Sequence, residues 1–341
     1  KLGVLKEDKI MVLSNQKKNT YYKWNRNTND LSLLPMDNKF LNWALFIMLS
    51  FIWGSSFILI KGGLEHLSAY QVASIRIISS GLVLLPVAVV SIRKIPVNKI
   101  WVIFMSGLLG SLLPAYLFCL AEQGIDSALA GTLNALTPIF VILLGAVFFK
   151  TTTTLAKIAG IMLAFAGSVL LFFSQPGFSE NSNITYVLFV VLATAFYGFN
   201  VNMVHQHLGN IGSLKIASVA LSLNAIPALV VLYYTGYFSS ASLATGPLIS
   251  MGLSAVLGVF GTALASVFFY VLLKRAGAVF ASMVTYGIPV VAIFWGIIYG
   301  EQVGLLQVGC MCVILLGVWV ANRRKKLVQP SQLVAAGATI P

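Results

Sequence analysis

Two short runs place an uncharged hydrogen-bonding residue four positions before a proline. NALTPIFVILLG, residues 134–145, opens on Asn134 and carries Pro138; TYGIPVVAIFWG, residues 285–296, opens on Thr285 and carries Pro289. Gly145 and Gly296 follow their prolines at equal distance. Proline has no N–H for the carbonyl four residues back. In a helix, Pro138 therefore frees the carbonyl of Asn134, and Pro289 that of Thr285. In hydrocarbon a freed carbonyl needs a partner or a wet cavity. The chemistry this suits is reversible hydrogen bonding to a polar solute at a bend between helix halves. A kink made only for packing is the other reading, and both can hold together. Helical spacing puts Gly131, Asn134 and Pro138 on one face, and Ser282, Thr285 and Pro289 on another.

Further uncharged polar and aromatic residues recur upstream. Trp53, Gly54, Ser55 and Ser56 form one group; Tyr197, Asn200 and Asn202 form a second. Trp53 and Tyr197 offer rings, and Ser56 and Asn200 offer hydrogen bonds to a small amphipathic solute. Arg76 is the one clear charge inside an apolar segment, roughly 10 Å from the segment's outer end. It either gates, pinning helices through a loop acid such as Glu65, or receives a substrate carboxylate; gating is the preferred role. No Asp or Glu falls at the middle of an apolar segment, so coupling through a mid-membrane acid has no sequence support. His205 and His207 read as solvated residues at a segment end. Cys119, Cys310 and Cys312 read as small apolar fillers, because residues two apart on a helix face different ways and make no metal clip. No metal site and no cofactor are expected. The chain lacks a phosphate-binding Gly-Lys-Ser/Thr loop, HExxH and GxSxG, which points away from an enzyme or an ATP-driven pump.

The elements that must position these residues follow from composition. The 341 residues are 58% hydrophobic and 9% charged, with mean hydropathy +0.91. A soluble domain is about 25% charged, so lipid is the solvent. Segments of roughly 20 apolar residues stand near 40–60, 69–91, 100–120, 127–149, 156–173, 184–204, 213–235, 247–272, 278–299 and 304–321, about ten spans. The net charge of +13 concentrates before the first span, after the last, and in every second loop. Glu65, Glu122, Asp126, Glu180 and Glu301 occupy the other loops. Positive loops stay inside, so both termini are expected in the cytoplasm, and the charge is read as topology rather than nucleic-acid binding. Residues 1–39 are expected to be a disordered cytoplasmic tail, and 323–341 a second cytoplasmic tail.

The chain also repeats itself. Gly107, Gly110, Phe118, Ala130, Pro138 and Gly145 match Gly258, Gly261, Phe269, Ala281, Pro289 and Gly296 at one offset. FIWGSSF (51–57) aligns with AFYGFNV (195–201), pairing Trp53 with Tyr197 and Gly54 with Gly198. Two five-helix halves result, 40–175 and 184–322. An odd helix count per half inverts the second, the architecture of alternating-access carriers. Gly107, Gly110, Gly258 and Gly261 read as close-packing positions.

WGSSFILIKGGLEHLSAYQVASIRIISSGLVLLP, residues 53–86, resembles the opening of EamA-type members of the drug/metabolite transporter superfamily. NALTPIFVILLGAVFF and TYGIPVVAIFWGIIYGEQVG resemble that family's two fourth-helix motifs. The resemblance spans about 40–322. It implies a ten-helix inner-membrane carrier, both termini cytoplasmic, exporting small metabolites such as amino acids. It further implies a central cavity holding Trp53, Ser56, Asn134, Tyr197, Asn200, Thr285 and Tyr286. Lys150 stands where an acidic Gly-Glu pair is usual, and the proline that often opens the second helix is missing near Ala69; neither departure touches the cavity.

The expected protein is an all-α membrane carrier with two inverted five-helix repeats, working on small molecules as a monomer in the bilayer. Pro138, Pro289 and Arg76 are its bending and gating residues. A nucleotide-sugar or sugar-phosphate carrier, and a non-transporting receptor or scaffold, are the alternatives.

Overall fold

Apolar segments this long close their backbone hydrogen bonds internally as helices. A computed structural model describes residues 4–7, 10–15, 20–25, 38–125, 127–174, 184–240, 244–298 and 304–322. The chain divides into two units, Lys1–Asp37 and Asn38–Pro341.

The first unit corrects the expected featureless tail. Its described residues form an antiparallel meander, β1 (Val4–Glu7), β2 (Ile10–Asn15) and β3 (Thr20–Asn25), in the order β1-β2-β3. Val4 pairs with Leu13, and Ile10 with Asn25. The physical reason is local: Val4, Ile10, Val12, Thr20, Tyr21, Tyr22 and Trp24 favour an extended backbone. Overall polarity hid three short strand-forming runs.

In the second unit, α1 (Asn38–Leu64) leads into α2 (Ala69–Ile92), which opens on a capping box: Ser68 Oγ accepts from the Gln71 amide, and Gln71 Oε1 accepts from the Ser68 amide. A third long rod runs Val97–Ala121, with α3 (Val97–Gly107) and α4 (Leu113–Ala121) joined by a π-helical turn at Leu108–Leu112. Then come α5 (Ser127–Asn134), α6 (Thr137–Phe149), α7 (Leu155–Phe173), α8 (Ile184–His207), α9 (Ser213–Tyr234) and the short α10 (Tyr237–Ser240). α11 (Thr245–Val256) and α12 (Ala265–Ala276) are joined by a π-helical stretch, Leu257–Leu264. α13 (Ala278–Ser282), a 3₁₀ turn (Met283–Tyr286), α14 (Gly287–Ile298) and α15 (Leu305–Asn322) complete the described unit.

Among the described residues seven helices are long and apolar enough to cross a bilayer. Shorter apolar helices, Leu155–Leu171, Ala278–Val291 and Leu305–Ala321, stand where the fifth, ninth and tenth spans were expected. Large side chains such as Leu82, Val90, Leu229 and Val230 are exposed on the helix surfaces, as lipid contact requires. Cys119 and Cys310 are buried and Cys312 is exposed. The Gly300–Glu301 pair and the tail 323–341 lie outside the described residues.

Helices in lipid associate through close packing of small residues rather than through hydrophobic exclusion. The principal partners include α2 with α9, α7 with α15, α4 with α8, α6 with α8, and α1 with α14. The last two crossings correspond. A Cβ on Gly54 of α1 would lie 2.7 Å from Val291 Cβ on α14, and one on Gly198 of α8 would lie 2.7 Å from Phe140 Cβ on α6. Gly54 and Gly198 are equivalent in the sequence repeat, and the proline offset makes Phe140 and Val291 equivalent too.

The prolines act differently from the interior kinks expected. α5 ends at Asn134, and Pro138 falls in the first turn of α6. Pro289 likewise sits in the first turn of α14, after the 3₁₀ turn. A first-turn N–H has no helical partner, so proline costs nothing there. Each therefore starts a new half-helix. The interior prolines of the fold are Pro86 in α2 and Pro227 in α9.

Candidate substrate cavity

The two broken helices and the two π-distorted rods bring their polar residues to one place. A cavity of about 100 Å³ opens between them, enough for several water molecules. α1 contributes Trp53, Ser56, Phe57 and Ile60, and α2 contributes Arg76. The break between α5 and α6 contributes Asn134 and Thr137; α8 contributes Tyr197 and Asn200. Ser282 comes from α13, Thr285 from the 3₁₀ turn and Ile288 from the start of α14. The π turns present Gly110 and Ser111 on one rod and Gly261 and Thr262 on the other. A π turn locally widens the helix and is common where function needs a distorted backbone.

Most wall groups are held by the protein itself. Trp53 Nε1 donates to the Gly261 carbonyl at 3.1 Å. Ser56 Oγ donates to the Ile52 carbonyl at 2.8 Å, and Thr285 Oγ1 to the Ser282 carbonyl at 3.0 Å. Thr137 Oγ1 donates to Asn134 Oδ1 at 3.2 Å. Arg76 Nε donates to Thr262 Oγ1 at 2.7 Å. Among the described residues Asn200 Oδ1 is enclosed and accepts no hydrogen bond. Aromatic rings complete the walls. Phe118 stands 6.0 Å from Phe57 and 6.1 Å from Tyr197, while Trp53 stands 5.4 Å from Phe269.

Of the residues expected at a binding site, Trp53, Ser56, Asn134, Tyr197, Asn200 and Thr285 all line this cavity. Tyr286 does not. It is fully buried, and its hydroxyl donates to the Ile161 carbonyl on α7 at 2.9 Å. The 3₁₀ turn rotates adjacent residues to different sides, so Thr285 faces the cavity while Tyr286 faces α7. Pro138 and Pro289 are buried behind the wall rather than in it. Arg76, expected as a gate, is in the wall itself. Gly107 keeps its packing role, since a Cβ there would lie 2.7 Å from the Ala220 carbonyl oxygen. Gly110 and Gly261 instead form part of the wall.

Sequence reasoning missed Phe57, Thr137, Thr262, Ser266 and Tyr270 as wall residues. A usable signal existed for Thr262: it matches Ser111 at the offset relating Gly110 to Gly261, so a small hydroxyl follows each repeated glycine. Sequence also underrated Glu122, which caps the end of α4 one turn beyond Phe118. Its Oε2 accepts from Ser127 Oγ at 2.9 Å, while Oε1 is enclosed without a partner. Enclosure pushes its carboxyl up to about 8, against the opposing pull of Ser127, Arg76 and Lys61.

Among the described residues no cluster of His, Cys, Asp or Glu could hold a metal ion. What the arrangement can do is enclose a small solute between rings and hydrogen-bonding groups drawn from both halves of the chain.

Known proteins resemble this chain in sequence and in fold. An uncharacterized transporter of Archaeoglobus fulgidus is 28% identical over 285 residues, covering 83% of this chain and 99% of its own length. The uncharacterized inner membrane transporter YedA of Escherichia coli K12 is 25% identical over 299 residues, covering 86% of this chain and 94% of its own. A solved crystal structure superposes with a TM-score of 0.63 at 16% identity, over 82% of this chain and 96% of that one, which shows a shared fold. Residues 41–173 and 184–323 each match the EamA-like transporter family. The chain, a multi-pass membrane protein with a polar cavity between its repeated halves, belongs to the EamA-like transporter family.

Proposed function

We propose that this protein is an alternating-access carrier that exports small amphipathic metabolites, amino acids among them, across the bacterial inner membrane. Ten spans form two inverted five-helix repeats, both termini lie in the cytoplasm, and one chain suffices as a monomer. It needs no cofactor and performs no covalent chemistry. The observation that carries this reading is a cavity walled by both halves, lined by uncharged polar and aromatic side chains together with Arg76. Support for the inverted repeat comes from the equivalent crossings at Gly54 and Gly198. A central site built from equivalent elements can open to either side by rocking one half against the other.

The test is flux of radiolabelled amino acids into proteoliposomes, with and without a pH gradient. Uptake of some members is expected, and Asn134→Leu with Thr285→Val should abolish it while the protein elutes as folded. No uptake under either condition would remove the amino-acid assignment in favour of sugar phosphates or nucleotide sugars. Unchanged behaviour of the double variant would instead favour a scaffold.

A further inference from the structure

Arg76 is a cation in the wall of the cavity, and the carboxylate whose charge it opposes, Glu122, lies outside that wall. Among the described residues no Asp or Glu comes within 4.0 Å of it, so the pairing with Glu65 that a gate would use is not made. It is the only Lys, Arg, Asp, Glu or His in the described wall. Its Nε is fixed on Thr262 Oγ1 at 2.7 Å, which orients the guanidinium, and its remaining N–H groups have no protein partner among the described residues. A cation removed from bulk water with no carboxylate in direct contact is costly, and an arriving anion offsets that cost.

The α8 wall offers the complementary feature. Asn200 is 4% exposed; its side chain meets the Tyr270 hydroxyl, and among the described residues its Oδ1 accepts no hydrogen bond. A buried acceptor left empty is destabilising until a ligand N–H fills it. The two features are not mirror images. The repeat places Ala220 opposite Arg76 and Ser56 opposite Asn200, so symmetry alone would have produced neither. The cavity therefore has a polarity, cationic at one wall and accepting at another, and Trp53, Phe118 and Phe269 also line it, suited to an apolar body.

We propose that Arg76 is the docking point for the carboxylate of a monoanionic solute whose N–H group is received by Asn200 Oδ1. This deepens the carrier reading and rests on it. A single guanidinium matches one planar carboxylate, whereas a phosphate dianion calls for further cations that the described wall lacks. The carboxylate is thus the assigned anion, and a phosphate ester is an outcome of the test.

Binding to the purified full-length chain in detergent, read by saturable thermal stabilisation, separates this proposal from transport. The probes are the twenty amino acids, their 2-oxo acids, their amides and decarboxylated amines, and phenyl phosphate. At least one carboxylate is expected to stabilise the protein while its amide and amine do not. Arg76→Gln should weaken that probe by about thirtyfold or more, and Arg76→Lys should recover part of the loss. Asn200→Leu should weaken the amino acid more than its 2-oxo acid. Should Arg76→Gln fail to fold, Thr262→Val carries the test: it keeps the charge but frees the guanidinium, and severalfold weaker binding is expected. Equal binding of the amide, tighter binding of phenyl phosphate, undiminished binding by folded Arg76→Gln or Thr262→Val, or no binding by any carboxylate would overturn the proposal. Arg76-dependent binding without flux in proteoliposomes would sink the carrier reading and leave the dock. Flux of neutral solutes through Arg76→Gln would do the reverse.

Discussion

Replacing Gly198 by Ala tests the closest approach on which the cavity depends. The added Cβ would lie 2.7 Å from Phe140 Cβ, 2.8 Å from Phe140 C and 3.0 Å from the Val141 amide nitrogen. Carbon atoms rest at roughly 3.5–4.0 Å, so α6 and α8 must part by about 1 Å. Forcing a methyl into a tight contact costs about 1–3 kcal/mol. The separation also stretches the bond from Asn202 Nδ2 to the Val141 carbonyl, 2.8 Å in the native chain, worth about 1 kcal/mol. Relief of the glycine's helix penalty returns about 1 kcal/mol. The net is a loss of about 1–3 kcal/mol. Because α6 and α8 carry Thr137, Tyr197 and Asn200, the cavity should widen and flux should fall. The equivalent change Gly54→Ala meets Val291 Cβ at 2.7 Å and Cγ1 at 2.8 Å, and should behave alike. Gly252→Ala is the control: its Cβ would meet nothing within 4 Å, so only the propensity gain remains and stability should rise. Apparent melting temperatures of detergent-purified variants, read at one scan rate, decide the matter. A Gly198→Ala protein as stable as Gly252→Ala would refute the argument that these helices cross on a bare backbone.

Three further outcomes are expected. Burial pushes the Glu122 carboxyl from its ordinary 4.5 up to about 8 in the fold. Below 4.5 the group is neutral in both states; between 4.5 and about 8 the folded chain binds more protons, so its contribution to stability declines as pH rises across that window. Glu122→Gln should flatten the decline in melting temperature between pH 5 and 8 (about the titration window); an unchanged slope would contradict the assignment. Tyr286→Phe removes only the bond to the Ile161 carbonyl, so it should lower stability by about 1 kcal/mol while ligand affinity, measured by the same thermal assay, stays constant. Trp53→Phe keeps an aromatic wall but deletes the bond to the Gly261 carbonyl; flux in proteoliposomes should drop more than the melting temperature accounts for.

Solvent, helical class and internal duplication are all readable from composition and spacing. Lipid leaves a backbone no alternative to helices or closed barrels, so long apolar runs read almost directly as spans. Duplicated glycines and prolines survive as a spacing that needs no coordinates. Even most of the cavity was legible, because polar side chains such as Asn134, Asn200 and Thr285 are conspicuous in apolar segments. What composition obscured was local: the strands at Val4–Asn25 sit in a stretch whose average polarity suggests no structure.

Which way each group points is set by how the helices pack. A membrane helix is apolar on all sides, so its periodicity does not announce the inward face. Tyr286 and Thr285 are neighbours in the chain, yet one bonds α7 and the other lines the cavity, because a 3₁₀ turn intervenes. Pro138 and Pro289 look like interior kinks until the helix breaks place them in first turns. Arg76 meets Thr262 across 186 residues of chain, a contact set by how α2 crosses the second π-distorted rod. Its role turns on that crossing, which no spacing along the chain contains.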